Sequence, residues 1–323
     1  MKVIASTGRE DVAVVYIVEY PDGNLLECVE SLQPPLTREE KWVLLISTMF
    51  GCPVGCAMCD AGGHFEGKVS VDQIFAQLDF LVYQRFPDGR IPSHQFKIQF
   101  ARMGEPALNA ALLEVLEALP TRYQAPGLMP SLSTIAPASA APFFDRLLEI
   151  KRRHYPGGHF QFQFSLHTTD QALRDQIIPV KKWSFGQMAE YGRRFYQPGD
   201  RKITLNFALA QGNPLEPQVL LEHFPADNFL IKITPLNPTY RARENQLASY
   251  IDPCQPDEQD RLVEALRQAG YEVILSIGEV EENAIGSNCG QYLRRHLNAA
   301  ERLENGYCYE VREAVDSHGA VVT

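Results

Sequence analysis

Short apolar runs alternate with amphipathic helical patterns along most of this chain. Segments 43–48, 96–101, 129–134, 159–166, 202–208, 229–234 and 271–277 read as strands. Phe160, Phe162 and Phe164 alternate with Gln161 and Gln163, and Ile203, Leu205 and Phe207 repeat the pattern, as expected of strands buried on one face. Helices fall between them. Ser70 and Gln73 make a capping box before a helix whose apolar face is Ile74, Leu78, Leu81 and Val82. Pro256 starts another, with Asp257 and Glu258 in its first turn, Leu262, Val263 and Leu266 on its face and Gly270 at its end. Before these comes a hairpin. Two β-rich runs, 13–18 and 25–29, flank the turn Pro21-Asp22-Gly23-Asn24, and Pro34-Pro35 then interrupts the chain.

Strand–helix alternation repeated in this way predicts an α/β fold with a parallel sheet and right-handed crossovers, open or curled into a barrel. In such folds the chemistry sits at the carboxyl ends of the strands. The expected division is a β-hairpin lead-in over 1–40, the α/β unit over 41–295 and a tail over 296–323.

The composition fits that picture: 323 residues, 45% hydrophobic and 22% charged, are ordinary for a soluble protein with one large core or two smaller ones. No apolar run is long enough to span a membrane, and the first residues lack the sustained apolar stretch of a signal peptide, so a cytoplasmic location is expected. A net charge of −10 counts against nucleic acid as the main partner. The basic clusters Lys181-Lys182, Arg193-Arg194 and Arg241 to Arg243 read as solvated surface charge.

The seven cysteines are unevenly placed. Cys28, Cys254, Cys289 and Cys308 are scattered, whereas Cys52, Cys56 and Cys59 stand in a CxxxCxxC spacing just after the first strand of the alternating region. Such crowding points to metal or thiol chemistry rather than a disulfide framework. Three thiolates on one loop can hold three irons of a cubane cluster and leave the fourth open to a substrate. They can also hold zinc, with His64 or Cys289 as a fourth ligand.

The CxxxCxxC loop in this position resembles the signature of the radical S-adenosylmethionine (SAM) superfamily, with Met58 where an aromatic residue is usual. The resemblance implies a partial (β/α)6 barrel in which Cys52, Cys56 and Cys59 hold a [4Fe–4S] cluster. SAM is then cleaved by an electron from a donor such as flavodoxin or ferredoxin. Further segments resemble the class A radical SAM methylases, the RlmN/Cfr family, over roughly residues 12 to 295. Met103-Gly104-Glu105-Pro106-Ala107-Leu108-Asn109 resembles that family's MGEPLLN segment, which implies Gly104 and Glu105 at the SAM amino group. Leu132-Ser133-Thr134, Ser165-Leu166-His167 and Ile233-Thr234-Pro235-Leu236-Asn237-Pro238 resemble further SAM-contacting segments, and imply Ser133, Ser165, Leu166, His167 and Asn237 as contacts. Leu173-Arg174-Asp175 and Pro179-Val180-Lys181-Lys182 extend the match.

By the same resemblance, Cys289 in Asn288-Cys289-Gly290-Gln291 is the methyl-carrying cysteine, and Glu27 matches a glutamate that accepts a proton. A free cysteine also serves as a small buried hydrophobe, and His167 on its own as a structural histidine.

Three departures set the chain apart. Leu45 stands where the family has a second catalytic cysteine, the one that resolves the adduct; Cys28 is the nearest thiol by sequence, although adjacent strand residues face opposite sides. About forty residues precede the barrel region, too few for the family's accessory RNA-binding domain. The acidic charge opposes RNA capture. A substrate other than ribosomal RNA is therefore expected: a small molecule, a peptide or another RNA. Three functions remain open: methyl transfer through Cys289, hydrogen abstraction without methyl transfer, and a zinc-stabilised binding protein.

Overall fold

A computed structural model describes residues 1–252, 256–278, 280–303 and 305–314. Its strands are β1 Lys2–Arg9, β2 Ala13–Glu19, β3 Leu25–Ser31, β4 Lys41–Ile46, β5 Met49–Gly51, β6 Phe65–Lys68, β7 Gln95–Phe100, β8 Leu128–Thr134, β9 Gln161–Ser165, β10 Ile203–Leu209, β11 Phe229–Pro235, β12 Val273–Leu275 and β13 Val311–Glu313. Eleven of them form one sheet in the order β12-β11-β10-β9-β8-β7-β4-β3-β2-β1-β13. From β4 to β12 every pairing is parallel. From β4 through β3, β2 and β1 to β13 every pairing is antiparallel. The seven strand segments expected from the sequence are all present within a few residues.

Helices fill the crossovers, which is what parallel neighbours require. Val71–Arg85 starts with the expected capping box between Ser70 and Gln73. Leu78, Leu81 and Val82 of that helix share a core with Leu44, Ile98, Phe100, Phe162, Phe164, Leu205, Phe207 and Ile231. The apolar residues of each alternating strand therefore face the helices. Their polar partners do not face bulk water: Lys97, Gln99, Gln163, Asn206 and Lys232 line an internal cavity of about 310 Å³.

The lead-in is more than a hairpin. β1 adds a strand, with a register shift between Val3 and Ala5, and β3 pairs with β4 through Val29 and Leu45. The lead-in thus continues the main sheet, and Ser31 and Gln33 reach the cavity wall. On the same side, Ile285, Leu293 and Tyr307 pack on Val12, Val15, Ile17 and Val29, so the segment after β12 covers the antiparallel half. Part of the tail, Val311–Glu313, is a strand on β1, while Cys254 and residues 315–323 lie outside the described residues.

Candidate active site

The cavity opens at the carboxyl ends of the parallel strands, and the chain brings its distinctive residues there. Cys52, Cys56, Cys59, Gly104, Glu105, Ser133, Ser165, His167, Asn237 and Cys289 all line it.

The cysteine loop connects the two strands of the short antiparallel pair β5–β6 and is held from much later in the chain. Thr239 Oγ1 donates to the Met58 carbonyl at 2.9 Å, and Arg241 donates to the carbonyls of Cys56 and Gly55 at 3.1 and 3.2 Å. The Asp60 carboxylate accepts the backbone N–H groups of Tyr240 and Arg241, and the Asp60 N–H donates to the Gly290 carbonyl at 2.9 Å. Arg241 is thus a loop clamp, not the solvated charge its sequence cluster suggested. Lys182 likewise folds inward, donating to the carbonyls of Ile178 and Val180.

Burial pushes the Cys52 thiol up to about 11. Burial also raises Cys56 and Cys59, and the neighbouring thiolates add to it. Three thiolates can share this dry corner only around positive charge, which an iron–sulfur cluster supplies. Among the described residues, no three His, Cys, Asp or Glu side chains are grouped so as to hold a single metal ion, and His64 is exposed.

Gly104 lies in the left-handed region at φ +98°, and a Cβ there would stand 2.6 Å from the Met49 side chain, so only glycine fits beneath the loop. Glu105 follows, 5% exposed. Its carboxylate accepts from Thr134 Oγ1, the Ile135 N–H at 3.0 Å and the Ala107 N–H at 3.1 Å. Burial nevertheless carries it to about 7, because these dipoles offset only part of the lost hydration. An arriving ammonium group would complete the balance. His167, at φ +67°, accepts the Ala208 N–H on Nδ1 at 3.1 Å. Burial and the nearby Arg174 lower its pKa to about 4. It is therefore neutral, with its proton on Nε2 as a donor. Arg174 sits behind it, tying the Ile135 and Trp183 carbonyls together. Asn237 donates its amide to the Cys289 carbonyl at 3.0 Å.

The chain belongs among known proteins at this level. No family model matches it. It is 28% identical over 303 residues to a probable dual-specificity RNA methyltransferase RlmN from Desulfitobacterium hafniense, covering 89% of this chain and 77% of that one. It is 25% identical over 308 residues to the dual-specificity RNA methyltransferase RlmN of Wolinella succinogenes, covering 90% and 83%. Its fold matches a radical SAM methyltransferase from Sphaerobacter thermophilus with a TM-score of 0.69, at 20% identity, over 90% of this chain and 81% of that one. Over nearly its whole length the chain is thus similar to RlmN-type RNA methyltransferases in sequence and to a radical SAM methyltransferase in fold. The cofactors of that class are a [4Fe–4S] cluster and SAM, and the donor set just described fits both. No helix among the described residues is long and apolar enough to cross a membrane.

Two expected site residues stand away from the cavity wall. Leu166 is fully buried in the core on the helix side, and only its backbone, bonded to the Asn206 carbonyl, belongs to the site region. Glu27 is fully buried too. It lies on the same strand face as Ser31, but the segment after β12 covers it. Its carboxylate binds Arg102 at 2.6 Å and accepts the N–H groups of Leu293 and Arg294 at 3.3 and 3.0 Å. So placed, its carboxylate reaches the cavity only through Arg102, which it holds.

Arg102 was not singled out in the sequence. It lines the cavity and grips the carbonyls of Gly286, Ser287 and Asn288 at 3.0, 3.0 and 3.1 Å. Those are the three residues before Cys289, whose thiol is exposed to the cavity 3.9 Å from the Ala101 carbonyl. Burial raises the Cys289 pKa, and the charges of Arg102 and Lys232 pull it back towards the thiolate. Leu45 lines the same cavity. Cys28 does not: it is fully buried in the core on the opposite face, out of reach as a resolving thiol.

Proposed function

We propose that this enzyme moves a SAM-derived one-carbon unit through Cys289 onto an unactivated carbon of a substrate other than ribosomal RNA. The observation that carries this reading is that the Cys289 thiol is exposed in the same cavity as Cys52, Cys56 and Cys59, on a loop bonded to theirs through Gly290 and Asp60. Cys52, Cys56 and Cys59 hold the cluster in this scheme. Gly104, Glu105, Ser133, Ser165, His167 and Asn237 hold SAM, with Glu105 facing its ammonium group and His167 donating from Nε2. Six strands of the parallel run, β4, β7, β8, β9, β10 and β11, form the partial (β/α)6 barrel, with β12 added at its edge; wall residues from across that run, Leu45 to Thr234, support this. When bound, the cluster and SAM supply a radical able to take hydrogen from an unreactive carbon. Arg102 fixes the carrier loop and, with Lys232, favours the thiolate needed to accept a methyl group. A small flavin or iron–sulfur protein, flavodoxin or ferredoxin, serves as electron donor.

The test is to reconstitute the enzyme without oxygen, reduce it, add SAM with an isotopically labelled methyl group and map the label by peptide mass spectrometry. Label on Cys289 is expected. If 5′-deoxyadenosine forms while Cys289 stays unlabelled, the carrier role is wrong. A second reading is then favoured by Leu45, which puts an unreactive side chain in the cavity at the position of the family's second cysteine: hydrogen abstraction without methyl transfer.

A further inference from the structure

The cavity continues beneath the SAM-binding rim into the interior of the sheet, and there its walls carry positive charge. Lys41 begins β4, Lys97 lies within β7 and Lys232 within β11, and all three line the cavity. All three are half-buried, with their open side towards the cavity. Lys97 is four residues before Ala101, whose carbonyl the Cys289 thiol approaches. At the strand rise this places it about 13 Å further in.

Lysines seldom occupy such places without partners. Lys41 donates to Gln33. Among the described residues neither Lys97 nor Lys232 has a hydrogen-bond or salt-bridge partner. Their charges act on one another: burial lowers Lys97 to about 7, and Lys232, Lys41 and Arg201 push in the same direction. Burial lowers Lys232 as well, with Lys41 adding to this and the Glu282 carboxylate opposing it. Glu282 is the acidic group at this end; it accepts from Ser31 Oγ at 3.0 Å. Glu105, the other carboxylate on the wall, is occupied at the rim. Beside Lys232 in the register, Asn206 is 9% exposed, lines the cavity and leaves its Oδ1 without a donor. Gln99 and Gln163 extend the polar wall.

Lysines without partners and an orphaned acceptor on the cavity face of the sheet are an expensive way to build a core and an economical way to bind a polar anion. We infer that the substrate is a small hydroxyl- or amine-bearing molecule with an anionic end group, phosphate or carboxylate, which docks on Lys41, Lys97 and Lys232 with a donor on Asn206. Its reacting carbon then lies at the rim beside Cys289. This inference rests on the proposed function for where the reaction occurs. The interior position selects a small molecule over a polynucleotide, since the lysines sit on the inner wall and not on an outer face.

The experiment uses the full-length reconstituted enzyme with SAM bound and titrates inorganic phosphate, and separately malonate, by calorimetry. Wild type is compared with the Lys97→Met/Lys232→Met double variant. At least one anion is expected to bind, and the double variant should bind it about tenfold or more weakly. SAM affinity should stay within about twofold, and the melting temperature should hold or rise, because unpaired buried charge is removed. Should the double variant fold poorly, Lys97→Gln, which keeps a polar side chain and drops only the charge, gives the same comparison. The inference is overturned if neither anion binds wild type up to about 10 mM, or if the variants bind as well as wild type. It is also overturned if an RNA oligomer binds in their place and is lost in the variants. No turnover is needed, so absence of label on Cys289 would refute the carrier role and leave this result standing, and the reverse holds too.

Discussion

Replacing Arg102 by methionine tests how the carrier loop is held. The Glu27–Arg102 pair is fully buried on both sides, at 2.6 Å. In the variant the Glu27 carboxylate keeps only the N–H groups of Leu293 and Arg294. The carbonyls of Gly286 and Ser287 lose their charged donor inside the protein. Removing one partner of a buried pair costs about 3–5 kcal/mol, chiefly because the other charge is left uncompensated. At roughly 2–3 °C per kcal/mol for a chain of this length, the melting temperature should fall by about 6–15 °C. Thermal unfolding followed by circular dichroism measures this. The freed loop should also expose Cys289, so its alkylation by iodoacetamide should speed up relative to wild type. A drop below about 1 kcal/mol, in the range of an exposed pair, would refute the view that this ion pair anchors the loop.

Three more outcomes are expected. Glu105, carried to about 7 by burial, holds its proton more tightly folded than unfolded; cofactor-free protein should lose about 3 kcal/mol of stability as pH rises from about 4.5 to 7, and Glu105→Gln should flatten that slope in urea titrations. SAM, bringing an ammonium group to this carboxylate, should bind more tightly as pH rises through the same window. His167 has the opposite sign: its lowered pKa gives stability that is full above about 6.5 and lost as pH falls towards 4, and at its φ of +67° His167→Val should cost about 1–2 kcal/mol more than His167→Asn. Leu45→Cys puts a second thiol into the cavity with Cys289; a disulfide between them should form on mild oxidation, read as two fewer titratable thiols, and an unchanged thiol count would show that the side chains do not meet.

The strands, the capping box and the cysteine loop were all legible, since each rests on local pattern. Alternation in Phe96-Lys97-Ile98-Gln99-Phe100 told which residues shared a face, but not what that face met. Period-two patterning is the same whether the polar side looks onto water or onto an internal cavity, so nothing in the sequence set Lys97 and Lys232 apart. β1 escaped notice because its register shift breaks the alternation. Glu27 was matched by position, yet its surroundings depend on Leu293 and Arg294, more than 250 residues away. Arg102 escaped for the same reason: its four acceptors belong to Glu27 and to residues 286–288. Long-range pairings of this sort leave no trace in a local window.

The clamp on the cysteine loop has a consequence for biogenesis. Cys52, Cys56 and Cys59 are synthesised early, but Thr239, Arg241, Asn245 and Gly290 are what hold their backbone in place. On a growing chain those partners emerge some 180 to 230 residues later, and closing so long a loop is both slow and entropically costly. The three thiols therefore spend most of translation unplaced and open to oxidation or to stray metal. Under the proposed cluster assignment, metallation belongs after the ribosome has released the last quarter of the chain, and truncation anywhere before Gly290 should yield a protein that never holds iron stably, even with all three cysteines present.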